Sequence, residues 1–128
     1  MVDYLRKSRM TQLKGLVKKG WGSEFIWITN DKYCSKFLNF ETGGKFSMHF
    51  HREKVETWYV QSGKFEVEVI DTTNASISKK IIGEGCVHHN DPLVPHRVTC
   101  LEAGTIIEVS TPDSVEDNYR VMPGDSQK

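Results

Sequence analysis

The feature that most constrains this chain is its segmentation. From Trp21 onward it divides into short runs rich in aromatic and β-branched residues, separated by turn-forming pairs and triplets. The runs predict strands over 23–29, 33–40, 45–50, 55–61, 64–71, 76–82, 86–89, 96–100 and 105–110. Between them stand Asn30-Asp31, Gly43-Gly44, Ser62-Gly63, Thr72 to Ala75, Gly83 to Gly85, Asp91-Pro92 and Ala103-Gly104. Strands so short, with turns so close, close into an all-β sandwich or barrel rather than a sheet covered by helices. Only Asp3 to Lys19 has the composition for a helical turn or two, and Gly15 and Gly20 interrupt it.

Residues 1–20 read as a basic extension, in which Arg6, Lys7, Arg9, Lys14, Lys18 and Lys19 oppose only Asp3. It holds no apolar run of signal-peptide length, and no run in the chain reaches membrane-spanning length. Residues 21–121 form the predicted domain, and 122–128 a loose tail. With 128 residues the chain has room for one core. Lys and Arg together number 17, as do Asp and Glu, so no global basic field favours nucleic acid. Cys34, Cys86 and Cys100 are odd in number and lack a C-x-x-C pair, which fits a reducing cytoplasm and neither a disulfide framework nor a zinc knuckle.

One segment, Ser47 to Gly63, carries the chemistry. Strand alternation puts Lys45, Ser47, His49 and His51 on one face and Phe46, Met48 and Phe50 on the other. The apolar face needs a cover, either a second sheet, the extension or another subunit. Arg52, Glu53 and Lys54 read as a polar hairpin connection, after which Glu56, Trp58 and Val60 share a face on the returning strand. Two imidazoles and a carboxylate on adjacent strands make a partial coordination sphere for one divalent ion such as Zn, Mn, Fe or Ni. His96, in the rigid approach set by Pro92 and Pro95, supplies the fourth ligand, with Val98 and Cys100 on its face.

Gly43, His49, His51, Glu56 and Gly63 fill G-x5-H-x-H-x4-E-x6-G, the spacing of the first cupin motif. Gly85, Pro92 and His96 resemble the second motif, with Leu93 at its usual glycine and Cys100 at its usual asparagine. The chain therefore resembles the cupins. That resemblance implies a small jelly-roll β-barrel holding the ion on these four side chains. From about Gly20 to Val121 it resembles the cupin domain of type II phosphomannose isomerases and bifunctional mannose-1-phosphate guanylyltransferases, through Trp58-Tyr59-Val60, His96-Arg97, Glu108-Val109 and Glu116-Asp117 with Arg120.

The implied activity is metal-dependent sugar or sugar-phosphate isomerisation, in which the ion acts as a Lewis acid on a carbonyl and stabilises an enediolate. A ligating Glu56 is a poor free base, and no other residue is identified as the catalytic one. Two other readings of the same ligands are an Fe(II)-dependent dioxygenase and a saccharide-binding module without turnover. Trp58 is a candidate wall for a sugar ring, and Lys45 a candidate phosphate anchor. Of the adjacent His88 and His89 only one can face inward. Arg97 points away from His96, and Cys100 lines the interior. A homodimer is expected, because the Phe46, Met48 and Phe50 face and the extension both ask for a partner.

Overall fold

The computed structural model describes residues 15–128. Eleven strands lie among them: β1 (Gly15–Lys19), β2 (Gly22–Thr29), β3 (Cys34–Phe40), β4 (Met48–Phe50), β5 (Glu56–Val60), β6 (Lys64–Asp71), β7 (Ser76–Gly83), β8 (Val87–Asn90), β9 (His96–Glu102), β10 (Gly104–Ser110) and β11 (Tyr119–Met122). The described residues hold no α-helix, only 3₁₀ turns at Val115–Asp117 and Asp125–Gln127. One sheet runs β1-β2-β3-β10-β5-β8 and the other β11-β4-β9-β6-β7, with every pair antiparallel. From β3 to β6 and again from β7 to β11 the chain crosses between the sheets at every step, as in a jelly roll, while β1 to β3 and the β6–β7 hairpin each stay within one sheet.

Register explains why one end of this barrel is apolar and the other lined by polar and titratable side chains. Across the first sheet, Leu38, Ile106 and Val60 stand opposite one another and form an apolar row. The next row is Lys36, Glu108, Trp58 and His88, and the one beyond it Cys34, Ser110, Glu56 and Asn90. The second sheet repeats the gradient, from Phe65 opposite Cys100, through Val67 opposite Val98, to Val69 opposite His96 and His96 opposite His49. Trp21, Leu38, Phe40, Trp58, Val60, Phe65, Val67, Ile82, Val98, Cys100 and Ile106 make one continuous core. Each large apolar side chain buried there contributes roughly 1.5–3 kcal/mol.

Three expectations are corrected. Residues 15–19 are not helical: they pair along the edge of β2, from Gly15 opposite Ile26 to Lys19 opposite Gly22. The remainder of that expectation, Asp3 to Lys14, lies outside the described residues, as do Arg6, Lys7 and Arg9 of the basic extension. The tail is pinned rather than loose. The Asp125 carboxylate accepts the Lys45 N–H at 2.9 Å, the Gly20 N–H reaches Ser126 Oγ at 3.0 Å, and the Gly124 backbone packs against that of Phe46 so closely that a Cβ there would sit 2.3 Å from it.

Lastly, Phe46, Met48 and Phe50 do not share one apolar face. Phe46 turns into the core, its ring 5.7 Å from Trp58, while Met48 is fully buried and Phe50 stacks on Tyr119 at 5.2 Å. The regular strand begins only at Met48, and Lys45 makes a single bridge to Thr99, so alternation does not carry through from 45 to 49. The missed strand β11 covers part of this region, with Tyr119 opposite Phe50 and Met122 opposite Met48.

Candidate metal centre

His49 and His51 come from β4 and its exit, Glu56 from the first position of β5, and His96 from the first position of β9. All four are buried. One ligand atom from each of the three histidines lies within 4.8 Å of the other two. Their rings are fixed by one device used three times. His49 Nδ1 lies 2.8 Å from the Ser47 carbonyl, His51 Nδ1 2.6 Å from that of Asp117, and His96 Nδ1 3.0 Å from that of Val94. A carbonyl only accepts, so each Nδ1 carries the proton and each Nε2 presents a lone pair.

Burial, followed by the charge of His96, pushes His49 down to about 3, and burial also lowers His51 despite its bond to Asp117. Neutral imidazoles are what a divalent ion requires. His96 Nε2 is buried without a hydrogen-bond partner, yet it lies 2.8 Å from Glu56 Oε1. Two lone pairs at that separation need a cation between them, either a proton or a metal ion. Burial alone would raise the Glu56 carboxyl, but a proton shared with His96 across that contact, together with the Lys54 ammonium at 3.3 Å, holds it well below the usual carboxylate range. The three imidazoles would suit a borderline divalent ion, with the Glu56 carboxylate beside His96.

Behind Glu56 lies a buried ion cluster. Lys54 Nζ reaches Glu108 at 3.1 Å and Asp113 at 3.0 Å, and Lys36 Nζ reaches Glu24 at 3.1 Å and Asp113 at 2.8 Å. Both ammonium groups are raised above the ordinary lysine value, because these carboxylates overcome the cost of burial. Burial and the charge of Glu56 push Glu108 up to about 7 against the two lysines. Asp113, despite its own burial, is held at about 2 by Lys54 and Lys36. Trp58 Nε1 donates to Glu108 at 3.2 Å, and Asn90 Nδ2 donates to Glu56 at 3.3 Å. The side chain of Asn90 is in turn set by His88 Nε2 at 2.9 Å.

A cavity of about 440 Å³ opens over this centre, lined by His49, His51, Glu56, Lys54, Glu108 and Phe46 among others. The expected substrate contacts are not among its lining residues. Trp58 is fully buried in the core beneath it, and Lys45 is engaged through its backbone with Asp125. Phe46 and Trp21 supply the aromatic wall instead. His88 is the inward member of its pair, and His89 is exposed against Asp91. Arg97 points away from the centre and is held by Glu68 at 2.7 Å, while Cys100 is buried in the core.

Sequence reasoning missed Lys36, Lys54, Glu108 and Asp113. For two of them a signal existed: Lys36 shares its face with Leu38 and Phe40, and Glu108 shares its face with Ile106. A charge at an inward position of two paired strands marks a partner across the ladder, and Lys36 stands directly opposite Glu108.

Residues 36–110, more than half of the chain, match the family model of the cupin domain. The chain belongs to the cupin family. This cupin is 22% identical over 125 residues to mannose-1-phosphate guanylyltransferase of Escherichia coli, a match covering 92% of the chain and 26% of that protein. Among solved structures it resembles KdgF of Halomonas sp., with a TM-score of 0.64, 19% identity, and 73% of this chain and 81% of that one covered. It also resembles oxalate decarboxylase of Bacillus subtilis, with a TM-score of 0.72, 18% identity, and 88% and 31% covered. The cupin thus spans about a quarter of the curated relative and under a third of the decarboxylase chain. At these identities the solved structures establish the fold. No helix among the described residues is long and apolar enough to cross a membrane.

Proposed function

We propose that this cupin is a metal-dependent isomerase of a sugar or sugar phosphate, with one divalent ion held by His49, His51, Glu56 and His96. The observation that carries the metal is the triple locking of Nδ1, which turns the Nε2 lone pairs of all three histidines toward one buried point. Solved relatives include an oxalate decarboxylase studied for its Mn(II) centres, which supports a metal in this fold. Sugar chemistry rests on the resemblance to the guanylyltransferase, an enzyme named for a sugar phosphate.

Bound there, the ion supplies Lewis acidity toward a carbonyl and its neighbouring hydroxyl. The protein supplies the rest. Phe46 and Trp21 give the substrate ring an apolar wall, the burial of the four ligands keeps water from competing, and Lys54 with Asn90 fixes the orientation of the Glu56 carboxylate. Sugar-phosphate interconversion followed with and without a chelator tests the reading. Activity that disappears on chelation and returns with Mn²⁺ or Zn²⁺ supports it. Turnover by metal-free protein contradicts it, oxygen uptake with Fe(II) would reassign the centre to oxidation, and tight saccharide binding without turnover would make it a binding module.

The reading includes a cytoplasmic homodimer. All three cysteines are free thiols, which suits a reducing compartment. The outer face of the six-stranded sheet bears Leu16, Phe25, Phe37, Ile107, Tyr59 and Val87 in one register row, one from each strand. Leu16 and Val87, at its two ends, are each 62% exposed. A second copy packed face to face would cover the row through a two-fold contact. Sedimentation of wild type as a dimer and of Tyr59→Glu as a monomer supports this, and a monomeric wild type contradicts it.

A further inference from the structure

We propose that Arg120 and Lys19 form an oxyanion subsite at the mouth of the cavity, so that the ligand is an acidic small molecule held through a head group carrying about two negative charges. Arg120 stands directly opposite His49 in the pairing of β11 with β4, and opposed side chains leave a sheet on the same face, about 5 Å apart at Cβ. Lys19, the last residue of β1, lines the same cavity from the other sheet. The rim therefore draws one cation from each layer, beside the candidate metal centre.

The distribution of charge selects these two. Four cations line the cavity, Lys19, Lys36, Lys54 and Arg120, with four carboxylates, Glu24, Glu56, Glu108 and Asp113. Every one of those carboxylates is engaged inside by Lys36 or Lys54. Arg120 and Lys19 are exposed, and among the described residues neither has a carboxylate within ion-pairing distance. The interior thus holds two ammonium groups against four carboxyl groups and has no positive charge to spare for an anionic ligand. Two positive charges are then left at the mouth. A phosphate monoester, with about −1.5 to −2 at neutral pH, matches them in charge, and the planar guanidinium matches an oxyanion in shape. A carboxylate offers the same chemistry at lower charge.

The subsite rests on the cavity being the substrate site, but its test does not need the metal. Chelator-treated protein is titrated with inorganic phosphate and followed by ¹H–¹⁵N NMR, with metal uptake of each variant measured separately. Saturable shifts at Arg120 and Lys19 are expected, weakened at least about fivefold by Arg120→Gln and less by Arg120→Lys. Malonate in place of phosphate tells a carboxylate head group from a phosphate one. No saturable binding by wild type, or wild-type affinity retained in both Arg120→Gln and Lys19→Gln, overturns the subsite. Failure to take up metal while phosphate still binds overturns the metal centre alone.

Discussion

Glu56 Oε1 lies 2.8 Å from His96 Nε2, and both atoms are acceptors once His96 has committed its Nδ1 proton to Val94. The contact is repulsive unless a cation bridges it. Glu56→Gln replaces one acceptor by an amide donor, so the metal-free variant should keep its fold within about 1 kcal/mol of wild type. Its affinity for a divalent ion should fall at least about tenfold, because a charged ligand has become neutral. Chemical denaturation and metal titration check the two halves. A variant that binds metal like wild type would remove Glu56 from the ligand set.

Lys54 is the buried counter-ion of Glu56, Glu108 and Asp113. Its replacement by Met keeps the volume and leaves these carboxylates short of a partner. A loss of roughly 3–5 kcal/mol is expected, as for other buried ion pairs broken on one side. Urea denaturation showing a loss under about 1 kcal/mol would mean the cluster contributes little to stability.

The pH dependence at Asp113 follows from its lowered value. The carboxyl is held at about 2 in the fold against an ordinary 3.8, so its contribution is fully present above 3.8 and is lost as pH falls through about 2. Because 35% of its side chain is exposed, the contribution is on the order of 1 kcal/mol after solvent screening. Asp113→Asn should therefore be less stable than wild type at pH 7, with the gap closing as pH falls toward 2. A gap that widens on acidification contradicts the assignment.

Asp117 joins the segment after β10 to the metal centre. Its carboxylate accepts the N–H groups of Arg52, Glu53 and Lys54 at 2.7, 3.2 and 3.0 Å, while its carbonyl orients His51. Asp117→Ala removes the first set of bonds and keeps the carbonyl, at a cost of roughly 1–3 kcal/mol. Asp117→Asn should recover part of it. Thermal denaturation that finds both variants equal to wild type would show the loop to be held by other contacts.

How much of this was legible in the sequence depends on the range of the signal. The nine strands read from residue 23 onward have counterparts in the structure, because alternation and turn residues act locally. Gly43 and Gly63, with φ of +86° and +88°, show why the first motif carries glycines at its flanks. Strands β1 and β11 were missed, since each is short and depends on a neighbour's edge, which a local pattern does not display. Lys54 reads locally as part of a polar hairpin connection, because its burial is caused by Glu108 and Asp113, more than fifty positions away. The three histidines could be grouped from spacing, but the carbonyls that fix their tautomers belong to the folded backbone.

Leu93 tests one such backbone effect. It stands where the second cupin motif has glycine, and its φ of +67° is the left-handed conformation that glycine tolerates. Its N–H donates to the His51 carbonyl at 2.7 Å, so the turn is kept despite the side chain. Leu93→Gly should stabilise the protein by about 0.5–1 kcal/mol. A marked destabilisation would show that the exposed leucine has a contact of its own.

The most direct measurement is histidine-selective ¹⁵N NMR of the protein titrated with Zn²⁺, alongside elemental analysis. One ion per chain is predicted, with the Nε2 resonances of His49, His51 and His96 shifting together while their Nδ1 protons persist. Absence of stoichiometric metal, or an ion that leaves these three Nε2 signals unmoved, would contradict the metal centre and the chemistry built on it.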